Sequence, residues 1–333
     1  MTTFEALTYR EFGDPCDVLA IEARPFGELG AGDIRVRVTL SPINPSDVIP
    51  VWGAYRHRTR LPKTPGYEGV GVVTELGPGV ATSWLGRRVL PLRGEGLWQQ
   101  YATVPSQFAI RVPDSVDDET ASQLYINPMT AWVIATKELR LNPDDVVVVN
   151  AGGSSLGHVF AQLSRILGYR LIAVCRTRQH TVLLKDLGAW AVISCADDGE
   201  LPQAVKDLTQ GLGASIGIDS IGGGDGHALI RCVRPEGTVL NIGLLSGIPI
   251  NWIALGDQHP RVTVRPFWLR RWRETAPAAE WCKSFAELLA LTKGGQLVIP
   301  PSCGRFRLRN FAAGLQMDQT RGRQGKVIFA PWD

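Results

Sequence analysis

Apolar positions fall into three regimes along the chain. Up to about residue 120 they alternate with polar ones over short runs, as in Ile34-Arg-Val-Arg-Val38, and glycine or proline interrupts every few positions. A period of two predicts half-buried strands joined by turns. No long helical period appears until about Ser122. Then comes an unbroken valine run over 146–149, the pattern of a strand covered on both faces. Beyond the loop Asn150-Ala-Gly-Gly-Ser-Ser-Leu-Gly157, apolar residues return at Leu156, Val159, Phe160, Leu163, Ile166 and Leu167, and Gly168 supplies a stop. That spacing predicts a helix. Strands are expected next over 171–175, 191–194, 215–220 and 238–243, with helices over 178–187 and 203–208 between them. Repeated β-α-β order predicts an α/β fold with a doubly wound parallel sheet. After about Arg265 the pattern breaks, with a helix over 278–291 and a final strand-like Lys326-Val-Ile-Phe-Ala330. The simplest layout is a β-rich domain built from 1–120 and 265–333, with a nucleotide-binding domain over 121–264 inserted.

The chain of 333 residues carries a formal net charge of +3, too little to imply nucleic acid or an anionic membrane as partner. Arginines do gather over 56–60 and 265–273, which suits either an anionic ligand or a solvated face. Six cysteines are scattered without a C-x-x-C pair, so a disulfide framework is not expected and a reducing compartment is. No apolar run approaches the ~18 residues of a membrane span. The first residues, Met1-Thr2-Thr3-Phe4-Glu5, show no targeting pattern. A cytoplasmic location is expected, or a mitochondrial one if a presequence has been removed.

The loop after the valine run approximates G-x-G-x-x-G, with Gly152 and Gly157 in place and Ser154 in the middle. Such a turn between strand and helix lets backbone N–H groups meet a diphosphate at the positive helix end. At the end of the second strand, NAD specificity would require Asp or Glu for the ribose 2′-hydroxyl. Arg176-Thr177-Arg178 stands there instead. Two guanidiniums suit a 2′-phosphate, although an exposed strand end can carry such a pair without function. NADPH is the expected cofactor.

Several motifs spread over the chain resemble the zinc-free medium-chain dehydrogenase/reductases, and within them the mitochondrial-type 2-enoyl thioester (enoyl-CoA and enoyl-ACP) reductases. They are Ile43-Asn-Pro-Ser-Asp47, Gly53-Ala-Tyr55, Gly96-Leu-Trp98, Ile126-Asn-Pro128, Val174-Cys-Arg-Thr-Arg178 and, most specific, Arg265-Pro-Phe-Trp-Leu-Arg-Arg-Trp272. The pattern departs at Gly153, where the family usually has Asn. The resemblance implies a β-rich GroES-like catalytic domain and a Rossmann nucleotide-binding domain. It also implies Tyr55 as the catalytic residue. Cofactor contacts would come from Asn127, from Gly153, Ser154, Ser155 and Leu156, and from Arg176, Thr177 and Arg178. Further contacts would come from Ile242, Gly243, Leu244 and Leu245, from Phe267, Trp268 and Leu269, and from Lys326. The residues themselves argue only for the loop and the arginines. Asn127 equally suits a turn before Pro128, Phe267 and Trp268 a core, and Lys326 an exposed position.

A catalytic zinc needs Cys and His ligands. The segments that would supply them read Asn44-Pro45-Ser46-Asp47 and Gly66-Tyr67-Glu68-Gly69, and no cysteine lies between Cys16 and Cys175 for a structural zinc lobe. No metal is expected. Without a Lewis acid, the oxygen of a reduced enoyl thioester needs a hydrogen-bond donor, which the neutral Tyr55 hydroxyl can be. Asp47 and Glu68 are expected to anchor backbone or pair with arginines, Asp219 to shape a turn, and His57 belongs to no motif. The substrate implied is an enoyl thioester on CoA or acyl carrier protein. A quinone or small-enone reductase is the alternative, and a non-catalytic NADPH-binding protein the third reading. An edge strand at 261–264, together with the resemblance, leads to the expectation of a homodimer.

Overall fold

A computed structural model describes residues 2–94, 96–196, 200–251, 261–320 and 322–333. The chain forms two compact units. One comprises Met1–Met129 with Pro277–Asp333, and the other Thr130–Ala276.

In the second unit, six strands form a single parallel sheet in the order Ala191–Ser194, Arg170–Cys175, Val146–Val149, Ala214–Asp219, Val233–Asn241, Thr263–Pro266. Strand order reverses between Val146–Val149 and Ala214–Asp219, the point at which doubly wound sheets open a crevice beyond their carboxyl ends. The valine run is buried throughout, as a strand covered on both faces must be. The helix Ser155–Leu167 follows it and turns Val159, Phe160 and Leu163 inward. Thr263–Pro266 lies at the end of the sheet and pairs with Val233–Asn241, so the unit extends past 264 to Ala276.

Two elements differ from expectation. No helix is expected between the strands near 220 and 238, yet Gly223–Ile230 is one, since two parallel strands need a crossover and Leu229 and Ile230 supply its buried face. Val233–Asn241 starts well before 238, its polar Arg234 and Glu236 lying on an exposed stretch that apolar patterning cannot flag.

The first unit holds a mixed sheet in the order Gly304–Phe306, Val327–Phe329, Asp33–Pro42, Val70–Leu76, Arg88–Leu90, Ile110–Arg111, with Tyr101–Pro105 also paired to Asp33–Pro42. Thr3–Tyr9 and Leu19–Pro25 form a separate antiparallel pair. Ile34, Val36 and Val38 are buried as their alternation predicts, but so is Arg35. Its guanidinium donates to Glu75 at 3.0 Å and to the Gly27 carbonyl at 2.5 Å, and lies 4.9 Å from the Phe26 ring centroid. Those partners come from two other segments and remove the polar position from solvent.

Tyr125–Met129 winds as a π-helical turn with Pro128 inside it. Proline has no N–H and crowds the carbonyl four residues back, so a wider turn accommodates it. All six cysteines are free thiols. Among the described residues no helix is long and apolar enough to cross a membrane.

Candidate active site and cofactor loop

The loop after Val146–Val149 is shaped by three local choices. Ala151 takes the left-handed region at φ 50, a conformation that non-glycine residues hold mainly where the surroundings impose it. Ser154 has an extended backbone and its hydroxyl accepts from the Gly157 N–H at 3.1 Å, capping Ser155–Leu167. This explains why serine occupies the middle glycine position: φ is negative there, and the cap needs an oxygen. Gly157 has no such latitude, because a Cβ on it would stand 2.2 Å from the Gly152 carbonyl oxygen. The loop therefore closes tightly on the helix start, whose first N–H groups have no intrahelical partner. The cradle fits a dinucleotide diphosphate.

All cofactor residues expected in this unit follow the carboxyl ends of parallel strands. Gly153, Ser154, Ser155 and Leu156 follow Val149, and Arg176, Thr177 and Arg178 follow Cys175 with their side chains exposed. Ile242 to Leu245 follow Asn241. Ile242 N–H donates to the Asp219 carbonyl at 2.8 Å, and Leu245 N–H to that of Ser220 at 3.1 Å. Phe267 is buried, Trp268 is 57 % exposed, and Leu269 opens the helix Leu269–Thr275. Both core and solvent thus claim part of the aromatic block.

A clamp at the strand-order reversal escaped the sequence reading. Asn150 Nδ2 donates to Asp219 Oδ1 at 2.6 Å, and Asn241 Nδ2 to Asp219 Oδ2 at 2.7 Å. The Ile221 and Gly222 N–H groups also donate to Asp219, each at 3.0 Å to Oδ1. The carboxylate is fully buried and ties three adjacent strand ends together, which is a structural task. The available signal was an Asn directly after one buried strand, another closing a second, and an Asp closing the strand between them.

The first unit holds Tyr55, Asn127 and Lys326. Tyr55 is half-buried on a turn, its carbonyl accepting from Arg58 and Thr59 N–H groups, each at 3.0 Å. The Arg58 guanidinium lies 3.8 Å from its ring centroid, which fixes the ring while leaving the hydroxyl uninvolved in that contact. Asn127 sits, half-buried, in the π-helical turn. Lys326 is not exposed. Its ammonium is buried, donating to Glu68 Oε1 at 2.9 Å and to Asn44 Oδ1.

Glu68 is paired with this lysine and not with an arginine. Its other oxygen accepts the Tyr125 and Ile126 N–H groups at 3.1 and 2.7 Å. Asp47 accepts the Tyr67 N–H at 2.8 Å and the Asn44 N–H at 2.8 Å. Burial, and next the Glu68 charge, push Asp47 up to about 7 against these donors. Both carboxylates are thus committed to backbone and to their neighbours. A zinc ion does not fit this donor set: Ser46 and Tyr67 fill the would-be ligand positions, and no group of three His, Cys, Asp or Glu side chains comes together among the described residues.

Two family models match, the alcohol dehydrogenase GroES-like domain over residues 30–114 and the zinc-binding dehydrogenase over 155–284. The chain is 30 % identical over 320 residues to the mitochondrial enoyl-[acyl-carrier-protein] reductase of Bos taurus, covering 93 % of this chain and 84 % of that one. It is similar to a Bacillus thuringiensis structure described as an NADPH:quinone reductase, with 44 % identity, a TM-score of 0.96 and 99 % of each chain covered. A mycobacterial protein complexed with NADPH superposes with a TM-score of 0.87 at 25 % identity, covering 98 % of this chain and 100 % of that one.

Proposed function

The chain belongs to the medium-chain dehydrogenase/reductases, and from that premise we propose that it reduces the carbon–carbon double bond of a 2-enoyl thioester with NADPH. The observation that carries the reading is Tyr55: a half-buried phenol whose ring lies under the Arg58 guanidinium, in a unit whose would-be zinc-ligand positions hold Ser46 and Tyr67. The enoyl-[acyl-carrier-protein] reductases among the relatives support the thioester, and the mycobacterial NADPH complex supports the cofactor.

NADPH, when bound, supplies the hydride that adds at the β carbon. The protein's own work is to hold the diphosphate at the start of Ser155–Leu167 and the 2′-phosphate at Arg176 and Arg178. Tyr55 donates a hydrogen bond to the thioester oxygen as negative charge develops there, then serves as the proton source for C2. Arg56, His57 and Arg58 are exposed on the same turn and suit an anionic carrier, the phosphates of CoA or an acyl carrier protein. The similarity to the Bacillus thuringiensis structure favours one second reading, a quinone as acceptor on the same scaffold.

Tyr55→Phe tests the mechanism. The ring and its arginine contact survive, so turnover on crotonyl-CoA should fall about 10²–10³-fold while NADPH binding holds. Near-normal turnover would move the role to another group, His57 first.

A further inference from the structure

His180 closes the turn that begins at Arg176 and directly precedes the helix Thr181–Leu187. It is half-buried, and its imidazole packs against Gly153 of the phosphate loop. A Cβ on Gly153 would stand 2.4 Å from His180 Cδ2 and 2.8 Å from Nε2. The Gly153 φ lies outside the left-handed region, so the backbone torsion does not demand glycine here; a Cβ would instead push the His180 ring out of its place. Behind His180 stands His158, on Ser155–Leu167, with ring centroids 6.0 Å apart. Burial, and next His180, push His158 down to about 4, so it is neutral and adds no competing charge. The turn thus brings three nitrogen-bearing side chains, Arg176, Arg178 and His180, to the strand end and loop where a dinucleotide's adenosine ribose is read.

We infer that His180 is a specificity-determining residue for the 2′-phosphate of the cofactor, donating an imidazole N–H to it, and that Gly153 is glycine to keep the imidazole in place. This rests on the proposed use of NADPH. An imidazole suits the task because it offers an N–H donor whether neutral or protonated. Neighbouring guanidiniums and a bound phosphate dianion together make a charge-assisted contact. Gly153 and His180 then act as one unit, each useless for this purpose without the other.

Calorimetric titration of the purified protein with NADP⁺ and with NAD⁺ reads the inference without turnover. His180→Ala should weaken NADP⁺ binding about tenfold or more and leave NAD⁺ binding unchanged. His180→Gln, which keeps an N–H donor, should recover part of the loss. Gly153→Ala, whose methyl displaces the ring, should weaken NADP⁺ binding in the parent and cost less in the His180→Ala background, where no ring remains to be displaced. If Gly153→Ala does not fold, the two His180 variants decide alone. Equal weakening of both nucleotides would overturn the inference by making His180 a brace of the loop. An unchanged NADP⁺ affinity would overturn it by making the ring a bystander. Unmodified protein that binds NAD⁺ and NADP⁺ equally would fail at an earlier step, refuting the cofactor reading and this inference with it.

Discussion

Replacing Lys326 by Met should unfold the first unit more readily than its single lost contact suggests. The Lys326 and Glu68 side chains are 5 % and 0 % exposed, and the ammonium stands 2.9 Å from Oε1. Removing one partner of a buried ion pair leaves the other charge uncompensated, which costs about 3–5 kcal/mol. Glu68 would keep three N–H donors, from Asn44 at 2.8 Å, Tyr125 at 3.1 Å and Ile126 at 2.7 Å. Those donors place the expected cost near the lower end, about 3 kcal/mol. For a unit of this size that corresponds to a melting temperature lower by roughly 6–12 °C. The double replacement Lys326→Met with Glu68→Gln removes both charges while preserving a side-chain acceptor, so it should cost less than the single change. Thermal and urea denaturation of the three proteins make the comparison. A Lys326→Met protein as stable as the parent, or a double variant less stable than the single one, would show that the buried charge of Glu68 is not held by Lys326.

Arg176→Ala with Arg178→Ala should erode the preference for NADPH over NADH by about tenfold or more, since each charge-assisted contact is worth roughly 1.5–3 kcal/mol; equal use of both nucleotides by the parent would contradict it. His158 gives an acid-side prediction. Its folded value of about 4 lies below the ordinary 6.5, so between these the unfolded chain binds a proton that the folded unit refuses. That contribution to stability is complete above 6.5 and is lost as pH falls toward 4. His158→Gln should therefore lose less stability than the parent on acidification, and parallel pH profiles would count against the assignment.

Local chemistry made the second unit legible and long-range chemistry hid much of the first. Val146–Val149, Ser155–Leu167 and Ala191–Ser194 announce themselves because burial on both faces or a helical stripe is written in consecutive residues. Ser154 interrupts the glycine motif in sequence, and only the fold shows its hydroxyl accepting from Gly157 N–H as the helix cap. Arg35 reads as a solvent-facing residue because nothing near it in sequence reveals Glu75 and Phe26. The pairing of Lys326 with Glu68 joins residues 258 positions apart, which no period can signal. His180 and Gly153 illustrate the same limit: the glycine is explained only by a ring that packs on it from another turn. The expected Tyr55, by contrast, came from motif resemblance, and the structure adds the arginine that steadies its ring.

The central claim, reduction of an enoyl thioester by NADPH without a metal, is tested most directly by one assay. Purified protein in excess EDTA is mixed with NADPH and either crotonyl-CoA or a quinone, and nicotinamide absorbance is followed. NADPH should be oxidised rapidly with crotonyl-CoA, yielding butyryl-CoA, and more slowly with the quinone. Oxidation with the quinone alone, or activity that disappears in EDTA and returns with zinc, would contradict it.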